Sequence, residues 1–344
     1  MTMWGVHNDH PELDLIGNGF VGIGWDDIGD LTSIGSDKEA LKERIAEIRP
    51  DAKPGAIPVW AGVLLRFRFE MQVGDLVVYP YKPDSTLNFG RIESDYYYDP
   101  SAPMHRNRRK VDWLKTGVPR AEFSKSARYE VGSAVTLFRV KNHDLEFIDF
   151  VEGGTGALDS SGGSTAAISA DQAAAQAEDE PNAERIEEYT RDFVIETLLR
   201  ELDGPRFEHF VAHLMEAMGY RTQVTQVSGD GGIDVVAHRD PFGLEPPIIK
   251  VQCKRIVGSI GSPEVQKLTG SLAPGGSELG LFITLGTFSK DAVHIGRSRQ
   301  DLRLINGSEF VDLVLEHYEQ LGSEWKRLLP LRHLYVVDRD PEAS

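Results

Sequence analysis

The stretch "GGTGALDSSGGSTAAISADQAAAQAEDEPNAE", residues 153–184, limits the fold of this chain more than any other. Glycine, alanine, serine and acids fill it and no aromatic side chain interrupts them. It therefore cannot bury enough apolar surface to offset the entropy of ordering its backbone. We read residues 151–183 as a flexible acidic linker. No single core can run through such a segment. The 344 residues divide into an N-terminal domain, 1–150, and a C-terminal domain, 184–335, each long enough for a core of its own. Of the net charge of −17, about −8 falls between residues 151 and 200.

That acidity excludes a protein that coats nucleic acid by bulk charge, since neutralising phosphates takes clustered Lys and Arg; a local basic groove stays open. No apolar stretch approaches the roughly 20 residues that span a bilayer, and the first residues, "MTMWGVHNDHPELD", are polar and acidic, unlike a signal peptide. A cytoplasmic protein without membrane contact is the expectation. Cys253 is the sole cysteine, which rules out an intramolecular disulfide, and no Cys/His spacing suits zinc.

Beyond the linker, "AERIEEYTRDFVIETLLREL" and "PRFEHFVAHLMEAMGY" carry apolar residues at helical spacing, the second with Phe207, Phe210, Val211, Leu214 and Met218 on one stripe and Glu208 beside it. Short strands then alternate with helices: "RTQVTQV", "IDVVAHRD", "PIIKVQCKRI", the helix "SPEVQKLTGSL", "LGLFITLG", the helix "SKDAVHIGRSRQ" and "LRLING". The fold class is α/β (α+β), a mixed sheet flanked by helices. Before the second strand stands the glycine-crowded turn "SGDGGID", which leaves Asp234 at the mouth of a buried strand. An isolated aspartate there is ordinarily a strand-end carboxylate. On the following strand, however, period-two alternation sends Gln252 and Lys254 to one face and Cys253 to the other. If the two strands pair as a hairpin, Asp234, Gln252 and Lys254 converge. A carboxylate and an amide oxygen suit a hard Mg²⁺ that keeps some waters, and a lysine can orient or help deprotonate a nucleophilic water.

The run "GYRTQVTQVSGDGGIDVVAHRD", followed by "VQCKR", "EVQKLTGSL", "GLFITLGTFSKDA" and "LRLINGSEFVDLV", resembles the Mrr-type restriction endonuclease domain of the PD-(D/E)xK nuclease superfamily over about residues 203–318. The resemblance implies a metal-dependent DNA phosphodiesterase using Mg²⁺, with Asp234, Gln252 and Lys254 matching the catalytic triplet. Glu208 matches an acidic residue on the first core helix, and Gln266 a polar residue on the helix after the QxK strand. Asp234, Gln252 and Glu208 are then the metal ligands. Glutamine stands where the superfamily more often has a second carboxylate, which leaves one anionic ligand fewer and gives Glu208 more weight. The glycines let the turn tighten so that Asp234 reaches the site. Among neighbouring residues, Ser228 and Asp230 read as turn caps with phosphate contact as the alternative, and Ser289 after Thr284 and Thr287 as a helix N-cap. Lys250 and Arg255 are either backbone contacts to DNA or ordinary exposed charges. His209, His213 and His294 lie in helices, where a solvated or packed role outweighs ligation.

The first 150 residues read as β-rich: "MWGVHN", "FVGIGWDDIGDL", "DLVVYPY", "LNFGRIESDYYYD", "NRRKVDWLKTG" and "SAVTLFRVKN" are short, turn-bounded and dense in Val, Ile, Tyr and Trp. Helices are predicted over "DKEALKERIAEIRP" and "PVWAGVLLRFRFEM", giving a small barrel with peripheral helices. The order "GFVGIGW", "GDLVVYP", "GRIESDYYY", "HRNRRKVDW" resembles the PUA-like group, including EVE domains and related modified-base readers, over roughly residues 3–140. What that resemblance implies is a cavity where a flipped base stacks on aromatics. Trp25, Trp60, Tyr79, Tyr96, Tyr97 and Trp113 are the candidate walls, with core packing as the rival role for each. "HRNRRKVDWLK" is the one dense basic run; Arg106, Arg108, Arg109 and Lys110 are its DNA-binding candidates, and alternation sends Arg106, Arg108 and Lys110 to one face. A solvated edge strand is the rival.

Together these features point to a modification-dependent, type IV-like restriction endonuclease. An N-terminal reader of modified DNA is tethered to a Mg²⁺-dependent nuclease, and a double-strand break favours a homodimer. Two alternatives stay open: a defence nuclease activated by a ligand such as a signalling nucleotide, and a DNA-binding protein whose nuclease fold is catalytically weak.

Overall fold

The computed structural model describes residues 1–8, 10, 12–52, 55–132, 136–153, 183–225, 232–243, 245–273 and 277–335. The linker expected over 151–183 falls almost wholly outside them, as do Ser228 and Asp230. Contacts divide the chain into two compact units, Met1–Tyr81 with Thr86–Glu188, and Lys82–Ser85 with Tyr189–Tyr335.

The N-terminal unit is built on seven strands: β1 (Met3–Val6), β2 (Phe20–Ile23), β3 (Leu76–Tyr81), β4 (Thr86–Ile92), β5 (Tyr97–Tyr98), β6 (Asn107–Pro119) and β7 (Leu137–Arg139). Their order is β2-β6-β4-β3-β1-β7, with β5 added to β6. Only β1 and β3 run parallel. Alternation along the strands feeds two cores: Trp4, Val6 and Val77 face one, and Met3, Leu76 and Val78 face the other. Helices α1 (Lys38–Ile48) and α2 (Ala56–Leu65) cover the first core. The second is closed by α3 (Lys125–Val131), α4 (Asp144–Glu152) and a cluster of Phe89, Phe123, Phe147 and Phe150. Burial on both faces explains why "LVVYP" is continuously apolar instead of alternating.

The expected closed barrel is instead a curled, open sheet whose edges are β2 and β7. Register shifts at Leu87/Phe89 and Phe89/Gly90 bend β4 against the long β6, which curls the sheet without closing it. Helix α2 runs into a π-helical turn, Arg66–Glu70.

In the C-terminal unit the sheet order is β14-β12-β10-β9-β8, made of β8 (Arg221–Val224), β9 (Val235–His238), β10 (Ile248–Lys254), β12 (Glu278–Thr284) and β14 (Leu302–Ile305). The strands β10, β12 and β14 are parallel, and β9 is antiparallel to β8 and β10. The short β11 (Ser259–Ile260) and β13 (Thr287–Phe288) pair separately. Helices α5 (Ala183–Glu201), α6 (Gly204–Ala217), α9 (Gly307–Glu316) and α10 (Ser323–Leu328) supply Val194, Leu198, Phe210, Phe310 and Trp325 to one face. Helices α7 (Ser262–Gly270) and α8 (Lys290–Ser298) supply Val265, Leu268 and Ala292 to the other. The result is three layers, helix on sheet on helix. Asp203 caps α6 by accepting from the Arg206 N–H (2.9 Å), which points the Phe207/Phe210/Leu214 stripe at the sheet.

Candidate functional site

In the C-terminal unit the hairpin condition is met. Strands β9 and β10 pair antiparallel with Val235 opposite Val251, and the Asp234 N–H donates to the Val251 carbonyl at 2.8 Å, one step beyond. The carboxylate then turns across the neighbouring strand, and the Cys253 N–H donates to Asp234 Oδ2 at 2.6 Å. Asp234 is thereby held against the backbone between Gln252 and Lys254. Val251 and Cys253 belong to the core under α6, whereas Gln252 is registered beside Phe282, which packs in the opposite core. Gln252 and Cys253 therefore face opposite sides of the sheet.

One glycine requirement is explicit. Gly232 has φ +87°, and a Cβ there would lie 3.2 Å from Gln252 Nε2. At this left-handed φ any side chain would be strained, and the amide would have to give way by a few tenths of an ångström. The opposite end of that amide is more telling. Gln252 is 4% exposed, and its Oε1 is buried without a hydrogen-bond partner among the described residues. A buried acceptor left unmatched costs about 1–3 kcal/mol, so natural structures give such atoms a partner.

Glu208, half-buried on α6, is coupled electrostatically to both Asp234 and Lys254. Burial, then repulsion from Asp234 and Asp203, raises its carboxyl above the usual range, while Lys254 opposes the rise. Burial likewise raises Asp234, against the pull of the Cys253 N–H and Lys254. Two carboxylates that each resist ionisation, beside one lysine, form a site in deficit of positive charge. The donors are all oxygens: two carboxylates and the unmatched Gln252 amide. Donors of these types suit a hard divalent ion such as Mg²⁺, which completes its shell with water. Among the described residues no three His, Cys, Asp or Glu side chains cluster as a metal site.

Gln266 is exposed on α7 and is tied to the others by no described contact. On the same helix it is Glu264 that feels the charge of Lys254. Sequence reasoning passed over Glu264, whose place in the first turn after Gly261 was the available signal. Lys250 and Arg255 are committed to the fold: Lys250 Nζ donates to the Ser271 carbonyl (2.9 Å) and pairs with Glu278 (2.7 Å), and Arg255 donates to the Leu199 carbonyl near the end of α5. Ser289 caps α8 through the Ala292 N–H at 3.2 Å. His213 donates from Nδ1 to the His209 carbonyl (2.7 Å) and packs near Trp325, and His209 and His294 are exposed, so none of the three helical histidines joins the site.

In the N-terminal unit the basic run is used mostly by the protein itself. Arg109 is 2% exposed, and its guanidinium donates to the carbonyls of Phe67 (2.9 Å), Ser94 (3.2 Å) and Arg68 (3.1 Å). It pins the π-helical turn to β6, and burial lowers its pKa to about 10. The DNA contact expected of Arg109 is replaced by this internal role, because alternation turned it inward onto carbonyls that a π-helix leaves free. Arg108 stacks over Phe20 (4.1 Å), pairs with Asp99 (3.2 Å) and donates to the carbonyls of His105 and Met104. Arg106 donates to the Ala102 carbonyl at 2.9 Å. Lys110 is exposed.

The aromatics separate in the same way. Tyr96 is buried, with its hydroxyl donating to Asn107 Oδ1 (2.7 Å) and accepting from the Leu31 N–H (2.9 Å), and burial pushes it well above its ordinary pKa. Tyr79 packs with Leu15 and Phe20, and Trp113 donates to the Leu15 carbonyl at 3.1 Å. Tyr97 is half-buried on β5 with a raised pKa caused by burial. Tyr79, Tyr96 and Trp113 therefore build the scaffold. Of the six candidate walls, Trp25 and Trp60 line a cavity of about 190 Å³ among the described residues, with ring centroids 6.3 Å apart. His10 and His105, missed in the sequence because scattered histidines carry no spacing signal, share that lining. Trp25 (φ 62°) and His105 (φ 47°) both adopt the left-handed backbone that bulky residues avoid. Such conformations cost about 1–3 kcal/mol each and persist where surrounding structure enforces them.

Residues 199–314 match the family model for the Mrr catalytic domain, described as restriction endonuclease. This C-terminal unit carries a restriction endonuclease domain. Residues 1–141 match a domain of unknown function (DUF8426), so no PUA or EVE identity is attached to the N-terminal unit. The chain is similar to the type IV methyl-directed restriction enzyme EcoKMrr of Escherichia coli (strain K12), 36% identical over 131 residues, which is 37% of this chain and 42% of that enzyme. It thus spans under half the length of this relative. Solved structures with partial likeness include the MspJI restriction endonuclease in complex with a 27-mer oligonucleotide (16% identity, 94% of this chain and 78% of that one, TM-score 0.34). The DNA modification-dependent restriction endonuclease AspBHI is a second (16%, 74% and 67%, TM-score 0.34). Among the described residues no helix is long and apolar enough to cross a membrane.

Proposed function

We propose that this protein is a modification-dependent restriction endonuclease that hydrolyses DNA phosphodiester bonds in its C-terminal unit and reads modified DNA through its N-terminal unit. The observation that carries the nuclease assignment is the seating of Asp234 on the Cys253 N–H, between Gln252 and Lys254, inside the segment that matches a restriction endonuclease domain. Asp234, Glu208 and the Gln252 amide oxygen would hold Mg²⁺, which when bound neutralises charge on the scissile phosphate. Lys254 would orient the attacking water by donating to it, and Gln266 stands outside this set. One such site cuts one strand, so a double-strand break calls for two copies of the chain on the target.

The reader assignment is supported by the aromatic cavity and by the acidity of the chain, which leaves overall charge unable to hold it on DNA. Incubating the protein and Mg²⁺ with matched plasmids carrying no modification, methylcytosine, hydroxymethylcytosine or methyladenine tests the proposal. Cutting of one modified plasmid and sparing of the unmodified one is expected. Equal cutting of all four, or cutting of unmodified plasmid only after a nucleotide is added, would replace it with an unselective or a ligand-gated nuclease.

A further inference from the structure

We infer that Arg68, carried on the π-helical turn of the N-terminal unit, is a contact for a phosphate of the DNA backbone. The inference rests on the DNA-binding role proposed above for this unit and adds to it a residue that reads no base. The basic run of β6 is spent on the fold, and most arginines around it are spent in the same way. Arg49, Arg66, Arg91, Arg106, Arg108 and Arg109 each donate to an acceptor within the unit. Among the described residues Arg68 donates to none and forms no ion pair. Its Nε is buried, so the half-buried side chain leaves the two terminal nitrogens as its open end. A guanidinium keeps its charge at every working pH, and donors left unmatched by the protein suit an oxyanion.

The side chain is also held in place. Its guanidinium carbon lies 5.0 Å from the ring centroids of both Phe69 and Tyr96. Stacking against aromatic rings orients the planar fork before any ligand arrives, and such a fork matches two oxygens of one phosphate. Phe69 is itself exposed, which sets an apolar surface beside the cation as a deoxyribose sits beside its phosphate. The turn beneath is fixed by Arg109, which donates to the Phe67 and Arg68 carbonyls at 2.9 and 3.1 Å. The buried arginine of the basic run thus holds the backbone that presents the open one. Their two guanidinia repel each other, and a bound phosphate offsets that repulsion. Asp30 feels the charge of Arg68 too, but its Oδ1 accepts from the Thr32 N–H at 2.8 Å and the two side chains form no ion pair.

Full-length proteins are titrated in EDTA, which prevents cutting, against short duplexes bearing one 5-methylcytosine, 5-hydroxymethylcytosine or N6-methyladenine and against the unmodified duplex, each over about 0.05 to 0.2 M salt. Arg68→Gln should weaken binding to every duplex by roughly tenfold, the scale of one hydrogen bond to a charged group, and leave the ratio between modified and unmodified duplexes unchanged. Its plot of log affinity against log salt should be shallower by about one. Arg68→Lys keeps the charge and loses the fork, so the wild-type salt slope should remain with part of the affinity gone. Phe69→Leu, at an exposed ring, should cost about two- to fivefold on all duplexes, the scale of one exposed cation–π contact. A folded Arg68→Gln with wild-type affinity and salt slope would overturn the phosphate contact and leave the reading role standing. Loss confined to the modified duplex, with the slope unchanged, would overturn it in favour of a base contact. If Arg68→Gln does not fold, wild-type affinity in both Arg68→Lys and Phe69→Leu overturns it instead. A wild type that binds all duplexes alike sinks the reading role alone, and the contact then stands or falls on the salt slope of Arg68→Gln.

Discussion

Asp234 and Glu208 repel one another across a partly buried site, and both hold their protons above the ordinary carboxylate range, burial being the larger cause. A folded state that holds these protons more tightly than the unfolded chain is stabilised below the ordinary carboxylate range. That contribution is lost as pH rises through the raised values. Asp234→Asn keeps an oxygen for the Cys253 N–H and removes the charge. It is expected to abolish cleavage while raising the unfolding midpoint at about pH 8 without metal, with the difference shrinking towards about pH 4; an unfolding series across pH reads this, and a variant less stable than wild type at about pH 8 would refute the account. Gln252 supports a second expectation. Its buried Oε1 has no described partner, so Gln252→Glu should remain at least partly active in Mg²⁺, since a carboxylate oxygen serves the same ion, whereas Gln252→Leu should be inactive. Equal cleavage rates for the two would remove Gln252 from the metal-binding set.

At the level of elements, the helices and strands of the C-terminal unit were legible because their apolar periods switch cleanly between 3.6 and 2. Helix α9 was passed over although "NGSE" writes its capping box, Asn306 accepting from the Glu309 N–H at 2.9 Å and Glu309 Oε2 accepting from the Asn306 N–H at 3.1 Å. In the N-terminal unit the strands were legible and their closure was not. Edge pairing between β2 and β7 depends on bulge geometry, which alternation does not encode. The basic run of β6 shows the same limit. Period two separated Arg109 from Arg106, Arg108 and Lys110, yet it cannot say which face is wet. Arg109→Met should orphan three carbonyls and destabilise the N-terminal unit by about 3 kcal/mol in urea unfolding, and Arg109→Lys should recover only part, since an ammonium lacks the guanidinium fork. Lys110→Met, on an exposed side chain, should change stability by less than about 0.5 kcal/mol. Comparable losses for Arg109→Met and Lys110→Met would show that the guanidinium does not hold the π-turn.

For the whole molecule, contacts divide the chain into two units, a segment too poor in apolar residues to belong to a core being the sequence feature that suggests a division, and the candidate nuclease residues lie in one of them. The aromatic cavity was only partly readable, because an indole in a wall and an indole in a core have the same sequence signature; Trp25 and Trp60 differ from Trp113 only in what surrounds them. If recognition and cutting belong to separate units, their kinetic signatures must separate too. Substrate held at Trp60 is held in ground state and transition state alike, so Trp60→Leu should lower cleavage of the preferred modified DNA at low concentration and approach the wild-type rate at saturation. Lys254→Met should depress the saturated rate and leave the half-saturating concentration within about twofold. Steady-state cleavage over a concentration series of modified duplex distinguishes the two. A saturated rate that falls equally in Trp60→Leu and Lys254→Met would mean that the cavity acts in the chemical step, and that the two units do not divide the work between binding and hydrolysis.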